Sequence, residues 1–413
     1  MPPAAAPSLV DRLKGLTSLA SLAALRLLVA LAPVPDLSQF VHQLATPLTA
    51  FPRLQEGVFL YRNGVHPYSG GPFRHSPITL LLFSTLLPTT FPLLWAAADV
   101  LGAWALVQVF RLRSGTIDAS RERIIAACYL FNPYTLLCTI AQSTSTFDNA
   151  LYALALLFAC RKRPSIAMFC LALLTTSSLQ SVLFLPPLTM LLLASPRSGL
   201  AYPQPFSASK SGGIPIVLRF TLYLAALACI STVVVGDWLW VGRTWGATLT
   251  LPDVTPNPGL WWYFFTEMFD HFRPFFLMVF SVHLIIYVAP LCLKFQHDPL
   301  FATFLLQGII ATFKSYPSLA DPGLFINCIA LFPEIFPYLR HPLVTVMLHL
   351  YSSSLLVLFH NLWLVQGTGN ANFYYASTMV FGLANGFALT DCMWAGLRAA
   401  FGHVPDGWEV TQT

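Results

Sequence analysis

Three groups of side chains in this 413-residue chain are of types that do chemistry. The first is Glu267, Asp270 and His271, within the aromatic stretch Trp261-Trp262-Tyr263-Phe264-Phe265-Thr266-Glu267-Met268-Phe269-Asp270-His271-Phe272. On a helix these three share one turn and project roughly to one side. Such a group solvates an interface, contacts a lipid headgroup or, less readily, holds a metal. The second is Asn370 and Asn372, in Gln366-Gly367-Thr368-Gly369-Asn370-Ala371-Asn372-Phe373-Tyr374-Tyr375. Their amides donate and accept, which suits sugar hydroxyls or phosphate oxygens, although Gly and Asn are also ordinary turn residues. The third is the acids Asp36 and Glu56, twenty residues apart in sequence. The eight cysteines (128, 138, 160, 170, 229, 292, 328 and 392) lie in or at the ends of apolar runs without a CxxC. They read as small packing residues, neither metal ligands nor disulfides. No nucleophile–base pair is visible in sequence, and no metal or cofactor site is assigned.

The elements that must position these groups are set by composition. Apolar residues make up 56% of the chain and charged residues 9%, against about 45–50% and about 25% in soluble domains. A water-soluble fold of this size lacks the charge to coat itself, and disorder needs low hydrophobicity. The apolar runs are continuous, not alternating, which argues against a β-barrel. The fold class is therefore an all-α polytopic membrane protein, a single membrane domain over 1–413.

About twelve transmembrane helices are expected, near 16–34, 91–110, 124–142, 143–160, 164–178, 179–195, 214–236, 275–293, 299–313, 322–339, 342–364 and 373–399. Several fall short of the roughly 20 residues that cross a bilayer. The stretches 124–160 and 164–195 therefore also read as tight hairpins or partly re-entrant helices. Pro133, Pro186, Pro187, Pro290, Pro333 and Pro337 predict breaks or kinks. The first run reads as a signal anchor interrupted by Arg26, so one of its faces must meet protein, water or a headgroup.

With both termini cytosolic, 15 of the 22 Lys and Arg residues fall on the cytosolic side, six on the other and Arg26 within a span. That distribution obeys the positive-inside rule. The net charge of +5 is thus read as orientation in a bilayer, with no nucleic-acid partner. Segments 35–90 and 237–274 face the lumen. The first is flanked by short interfacial helices at 36–51 and 76–90, with turns forced by Gly, Pro and Asn between them. Segment 196–213 reads as a flexible cytosolic loop. Asp99, Asp148, Glu334 and Asp391 lie in or near apolar runs. Pairing with basic residues or backbone donors is the expectation for Asp99 and Asp391, and Asp148 sits near a lumenal hairpin end.

Gly64-Val65-His66-Pro67-Tyr68-Ser69-Gly70, followed by Arg74-His75-Ser76-Pro77-Ile78, resembles a known pattern. It is the Gly-x-x-Pro-Tyr…(His/Tyr)-(Ser/Thr)-Pro-Leu pattern of polytopic endoplasmic-reticulum enzymes that use dolichol-phosphate-mannose. These are GT-C glycosyltransferases, among them the glycosylphosphatidylinositol (GPI) mannosyltransferases. Phe131-Asn132-Pro133-Tyr134-Thr135 resembles the same superfamily. Those enzymes carry an acid pair, typically Asp-x-Asp, in the first lumenal loop. The pair takes a proton from a sugar hydroxyl and, often with a metal, offsets the charge of the departing phosphate. Here Asp36 stands alone, and Ser38 occupies the second acid's position.

The band Tyr263-Phe264-Phe265-Thr266-Glu267-Met268-Phe269-Asp270-His271-Phe272 resembles that of one family in particular, PIG-U, a non-catalytic subunit of the GPI transamidase. Further matching stretches run from Gly64 to Pro77, Phe131 to Asn149, Tyr316 to Asp321 and Gly369 to Asp391. The resemblance implies a GT-C-like fold in the endoplasmic-reticulum membrane and a role in recognising or positioning the GPI glycolipid. It implies partners in the other transamidase subunits, including the cysteine-protease-like PIG-K, and in membrane lipids. Asn370, Asn372, Phe373, Glu267, Asp270, His271 and Phe272 are the expected GPI contacts. The alternative is an active GT-C mannosyltransferase; a transporter would instead show inverted repeats, and none is evident.

Overall fold

The computed structural model describes residues 9–32, 37, 41–206, 210–402, 404, 407, 408 and 410. Among these, every regular element is helical. Four helical stretches are long and apolar enough to cross a membrane: Pro88–Ser114, Gly212–Val235, Arg273–Lys294 and Pro342–Val365. A fifth results if Ala119–Phe131 and Pro133–Ile140, bent by 47°, are counted together. That bend falls at Asn132-Pro133, where the expected break is found. Pro133 cannot donate a backbone hydrogen bond, and Asn132 Oδ1 caps the new helix by accepting from Tyr134 N–H at 2.9 Å.

Several expected spans are shorter than a bilayer. Ser145–Cys160, Pro164–Ser177 and Pro299–Phe313 hold 14–16 residues, roughly 21–24 Å at 1.5 Å per residue against a hydrocarbon core of about 30 Å. Pro299–Phe313 is buried from Pro299 to Thr312, so its apolar character serves a protein core as well as it would serve lipid. The run expected over 322–339 is split into Ala320–Ile329 and a 3-10 turn, Pro333–Tyr338, because Pro333 and Pro337 interrupt the backbone ladder. Ala371–Phe401, at 31 residues, is long enough but carries Asn372, Asn385, Asp391 and Arg398.

The centre is a stack. Phe91–Ser114 packs on Ser145–Cys160, which packs on Pro164–Ser177, which packs on Lys210–Val235. Pro299–Phe313 lies against Ala320–Ile329, Leu185–Leu193 and Ala371–Phe401. Hydroxyls inside the stack return their protons to the preceding helical turn, as Thr303 does to Pro299 O at 2.7 Å and Thr175 to Leu171 O at 2.8 Å.

Arg26, Arg113 and Asp391, all within apolar runs, find polar partners. Arg26 donates from Nε and Nη2 to Asp99 Oδ2 at 3.0 and 2.8 Å, which fastens the N-terminal helix Leu9–Leu31 to Phe91–Ser114. Asp391 accepts from the N–H groups of Arg340 and His341 at 2.9 and 3.3 Å. Arg113 is clamped between Asp298 and Glu334. The same clamp holds the start of segment 196–213, expected to be free. Gly199 N–H donates to Asp298 Oδ2 at 3.1 Å and Ser198 Oγ to Glu334 Oε1 at 2.8 Å.

The first large loop differs from expectation in its middle. Helices do form at its flanks, at Val41–Leu44 and Pro77–Thr85, but so does Phe51–Arg62, through residues expected to turn. Gly57 sits inside that helix because the buried ring of Phe73 lies on it: a Cβ there would be 2.3 Å from two ring carbons. Gly57→Ala is therefore expected to destabilise the chain. Overpacking costs about 1–3 kcal/mol, against a helix-propensity gain of about 1 kcal/mol. A melting curve in mild detergent should fall for Gly57→Ala and hold for Gln55→Ala, which lies on the exposed face.

Candidate functional site

The two loops expected to face the lumen are fastened to each other by charge. Arg74 Nε donates to Asp253 Oδ2, and Arg53 Nη1 reaches the same oxygen at 3.2 Å. Burial pushes the Asp253 carboxyl up, but the hydrogen bond and charge of Arg74, with the charge of Arg53, outweigh it and hold the carboxyl below its ordinary range. His66 Nε2 lies 3.2 Å from Asp237. Within the first loop, Tyr68 OH donates to His75 O at 2.6 Å, and Ser76 Oγ caps Pro77–Thr85 by accepting from Thr79 N–H. The motif His75-Ser76-Pro77 is thus a helix start: a hydroxyl N-cap followed by proline at the first helical position.

The aromatic band forms the floor beside this latch. Trp261 Nε1 donates to Phe313 O at 2.8 Å. Trp262 stacks on Trp363, with centroids 6.0 Å apart, and meets Tyr374 and Tyr375. Tyr263 lies 4.7 Å from Tyr375 between ring centroids, and Tyr375 OH donates to Leu260 O at 3.1 Å.

Tyr263 joins two of the expected contact groups. Its hydroxyl donates to Asn372 Oδ1, and Glu267 follows it by one turn of Trp261–Glu267. Asn370 Oδ1 accepts from Phe373 N–H at 3.2 Å and so caps Ala371–Phe401. Among the described residues, neither asparagine's Nδ2 donates to a protein acceptor, and both residues are exposed. Phe373 is also exposed and stacks on Phe359 at 5.8 Å.

Glu267, Asp270 and His271 do not share a helical turn. Trp261–Glu267 ends at Glu267, Met268 is extended, and a new helix begins at Arg273 with Pro274 at its start. Pro274 has no N–H to continue the ladder, so the chain restarts there. Asp270, His271 and Phe272 occupy the exposed turn between the two helices, where the rings of His271 and Phe272 lie 4.0 Å apart. Among the described residues, no hydrogen bond or ring contact joins this turn to Asn370 or Asn372. No three His, Cys, Asp or Glu side chains among the described residues converge as metal ligands would. Asp36 and Ser38 lie outside the described residues, and Glu56 is exposed on Phe51–Arg62.

Beside the Tyr263–Asn372 contact lies a groove of about 370 Å³, lined by Leu260, Trp261, Phe264, Val279, Phe280, His283, Phe313, Tyr375 and Met379. Tyr375 belongs to both the groove and the polar lip. Sequence reasoning identified the aromatic stretch around Tyr263 and the segment from Asn370 to Tyr375 separately. It missed that Tyr263 and Tyr375 close on each other, because only three-dimensional packing brings residues 112 positions apart together. The arrangement places amide donors and carboxylates beside a slot for hydrocarbon, as an amphiphile with a polyhydroxylated, charged head requires.

A model of the family described as "PIG-U: GPI transamidase subunit PIG-U" matches residues 20–381. The chain is 33% identical over 375 residues to the GPI transamidase component GAB1 of Saccharomyces cerevisiae, a match covering 89% of this chain and 91% of that protein. It is 30% identical over 396 residues to the GPI-anchor transamidase component PIGU of Homo sapiens, covering 89% and 90% respectively. It is 31% identical over 363 residues to the GPI transamidase component GAB1 homolog of Schizosaccharomyces pombe, covering 84% and 85%.

Proposed function

The chain belongs to the PIG-U family of GPI transamidase subunits, and from that premise we propose that it seats the GPI lipid without itself cutting or forming the peptide bond. One observation carries the reading: Tyr263, one helical turn before Glu267, bonds Asn372 in a polar lip that borders an apolar groove through Tyr375. The acyl chains enter the groove between Phe264, Phe280 and Met379. The free Nδ2 groups of Asn370 and Asn372 donate to phosphate and sugar oxygens. Glu267 and Asp270 face the amine-bearing part of the head, and His271, Phe272 and Phe373 complete an amphipathic rim at headgroup depth.

Catalysis falls to a partner, the cysteine-protease-like PIG-K. The exposed apolar faces of Arg273–Ile285 and Pro342–His360 meet lipid or the other subunits. The protein resides in the endoplasmic-reticulum membrane as a single GT-C-like membrane domain, with the lip lumenal and both termini cytosolic.

The test removes the donors and keeps the helix cap. In Asn370→Ser/Asn372→Ala, serine still caps Ala371–Phe401 while both Nδ2 groups are gone. Each bond is worth about 1 kcal/mol net, and together they correspond to roughly a thirtyfold loss of affinity at 1.4 kcal/mol per tenfold. Surface display of GPI-anchored proteins in null cells should drop, while the other subunits still co-purify. Normal display at normal expression would count against the site.

A further inference from the structure

A second cavity, of about 340 Å³, shares no lining residue with the groove. Helices Pro77–Thr85, Phe91–Ser114, Ser145–Cys160 and Pro164–Ser177 enclose it. Its volume is at the low end of the roughly 300–1,000 Å³ typical of ligand pockets. Its walls are aliphatic, with Leu94, Leu101, Leu151, Leu154 and Leu173 among them.

Polar side chains gather at one end. Thr144 N–H donates to Thr49 O at 2.9 Å, and His75 Nε2 donates to Ala50 O at 3.0 Å, so two adjacent residues of one segment hold both lining groups. Asp148 follows Thr144 by one helical turn, and its Oδ1 accepts from Ser177 Oγ at 2.5 Å. Its Oδ2 accepts from no described donor. His75 carries its proton on Nε2, which faces a carbonyl oxygen. Burial lowers its pKa to about 4, so the ring is neutral and Nδ1 is an acceptor. Among the described residues, no Lys or Arg lines the cavity. Lys314, whose charge reaches Asp148, is committed to Asp321 at 2.6 Å.

A carboxylate with an open oxygen, and no cation among the described lining residues, disfavours a phosphate and favours a ligand that brings its own hydrogen to Asp148. We propose that this cavity binds an uncharged lipid whose hydroxyl head donates to Asp148 at the His75 rim and whose chain lies among Leu94, Leu101, Leu151 and Leu154. Diacylglycerol, ceramide and sterol share that chemistry. The site is separate from the GPI groove, and its occupancy does not depend on the GPI reading.

The experiment uses the whole transamidase complex in nanodiscs. Photoreactive diacylglycerol, ceramide and sterol are each compared with photoreactive phosphatidic acid, and labelled peptides are mapped by mass spectrometry. At least one hydroxyl-headed probe should label residues 94–101 or 147–154 about fivefold more than phosphatidic acid, and which of the three does so identifies the head. Asp148→Leu should cut that labelling about fivefold, the equivalent of one hydrogen bond of about 1 kcal/mol. Ala97→Phe fills the mouth from an exposed position and should abolish labelling while the other subunits still co-purify; it carries the test if Asp148→Leu fails to assemble. Equal labelling by phosphatidic acid, or labelling unchanged in Ala97→Phe, overturns the proposal.

Discussion

Arg113→Met is expected to leave too little stability for the chain to accumulate, with a loss of about 3–5 kcal/mol, the usual consequence of removing one partner from a buried ion pair. The guanidinium is fully enclosed. It donates to Asp298 Oδ1 and Oδ2 at 3.0 and 2.7 Å, to Glu334 Oε1 from Nε at 2.8 Å, and to Ser198 Oγ at 3.2 Å, with its carbon 4.5 Å from the centre of the Phe332 ring. Methionine restores the volume and none of the charge. The two carboxylates then fare differently. Glu334 is partly exposed and reaches water, whereas the Asp298 side chain is 1% exposed. Asp298 keeps the N–H of Phe301 on Oδ1 and that of Gly199 on Oδ2; an asparagine oxygen keeps the first, and the removal of the stranded charge outweighs the loss of the second. Arg113→Met/Asp298→Asn should therefore recover most of the lost stability, and Arg113→Met/Glu334→Gln much less. Thermal unfolding followed by fluorescence-detected size exclusion in mild detergent reads all three. A single Arg113→Met variant as stable as the wild type would show that the clamp contributes nothing.

The contrast between Arg113 and Pro133 marks what was legible in the sequence. Local breaks could be read because their cause is covalent and short-range. Asn132-Pro133 ends one helix and starts another wherever the chain goes. Apolar runs were legible as helices, but not as spans. Pro299–Phe313 is as greasy as a membrane helix because protein surrounds it, and hydropathy does not distinguish protein from lipid as the neighbour. Gly57 misled because glycine's two uses look alike in sequence: it permits a turn, and it also lets a ring approach a helix.

At the candidate site, the residue types were legible and their grouping was not. Glu267 and Asn372 were expected separately, and Tyr263, one turn before Glu267, reaches Asn372 across 109 residues. Asp270 and His271 were expected beside Glu267 on one turn, and the extended Met268 that ends the helix separates them from it. The partners of buried charges follow the same logic. Arg26 had to meet something polar, but only folding chose Asp99, 73 residues on, and gave Arg113 partners 185 and 221 residues away.

Asp99→Leu is expected to be as damaging as Arg113→Met, and Arg26→Leu/Asp99→Leu to be nearly silent. Arg26 is 0% exposed, its Nη1 has no partner among the described residues, and Nε and Nη2 both donate to one Asp99 oxygen. Removing the aspartate strands a guanidinium between helices in an apolar bundle, again at about 3–5 kcal/mol. Removing both charges replaces a costly desolvation with two leucines at the same helix contact, a change often neutral or stabilising by about 1–4 kcal/mol.

The pair of variants separates two roles for an intramembrane ion pair. If it is structural, expression and thermal stability collapse in Asp99→Leu and return in the double variant, and surface display of GPI-anchored proteins returns with them. If the charges serve transport or chemistry, which is the usual reason for ionisable groups at such depth, the double variant is stable and assembled but display stays low. The geometry favours the structural outcome. Neither charge lines the groove beneath Tyr263 or the cavity at Asp148, and the pair's place is where the N-terminal helix meets Phe91–Ser114. A stable, assembled double variant that fails to restore display would move Arg26 and Asp99 from holding the bundle together to acting within it.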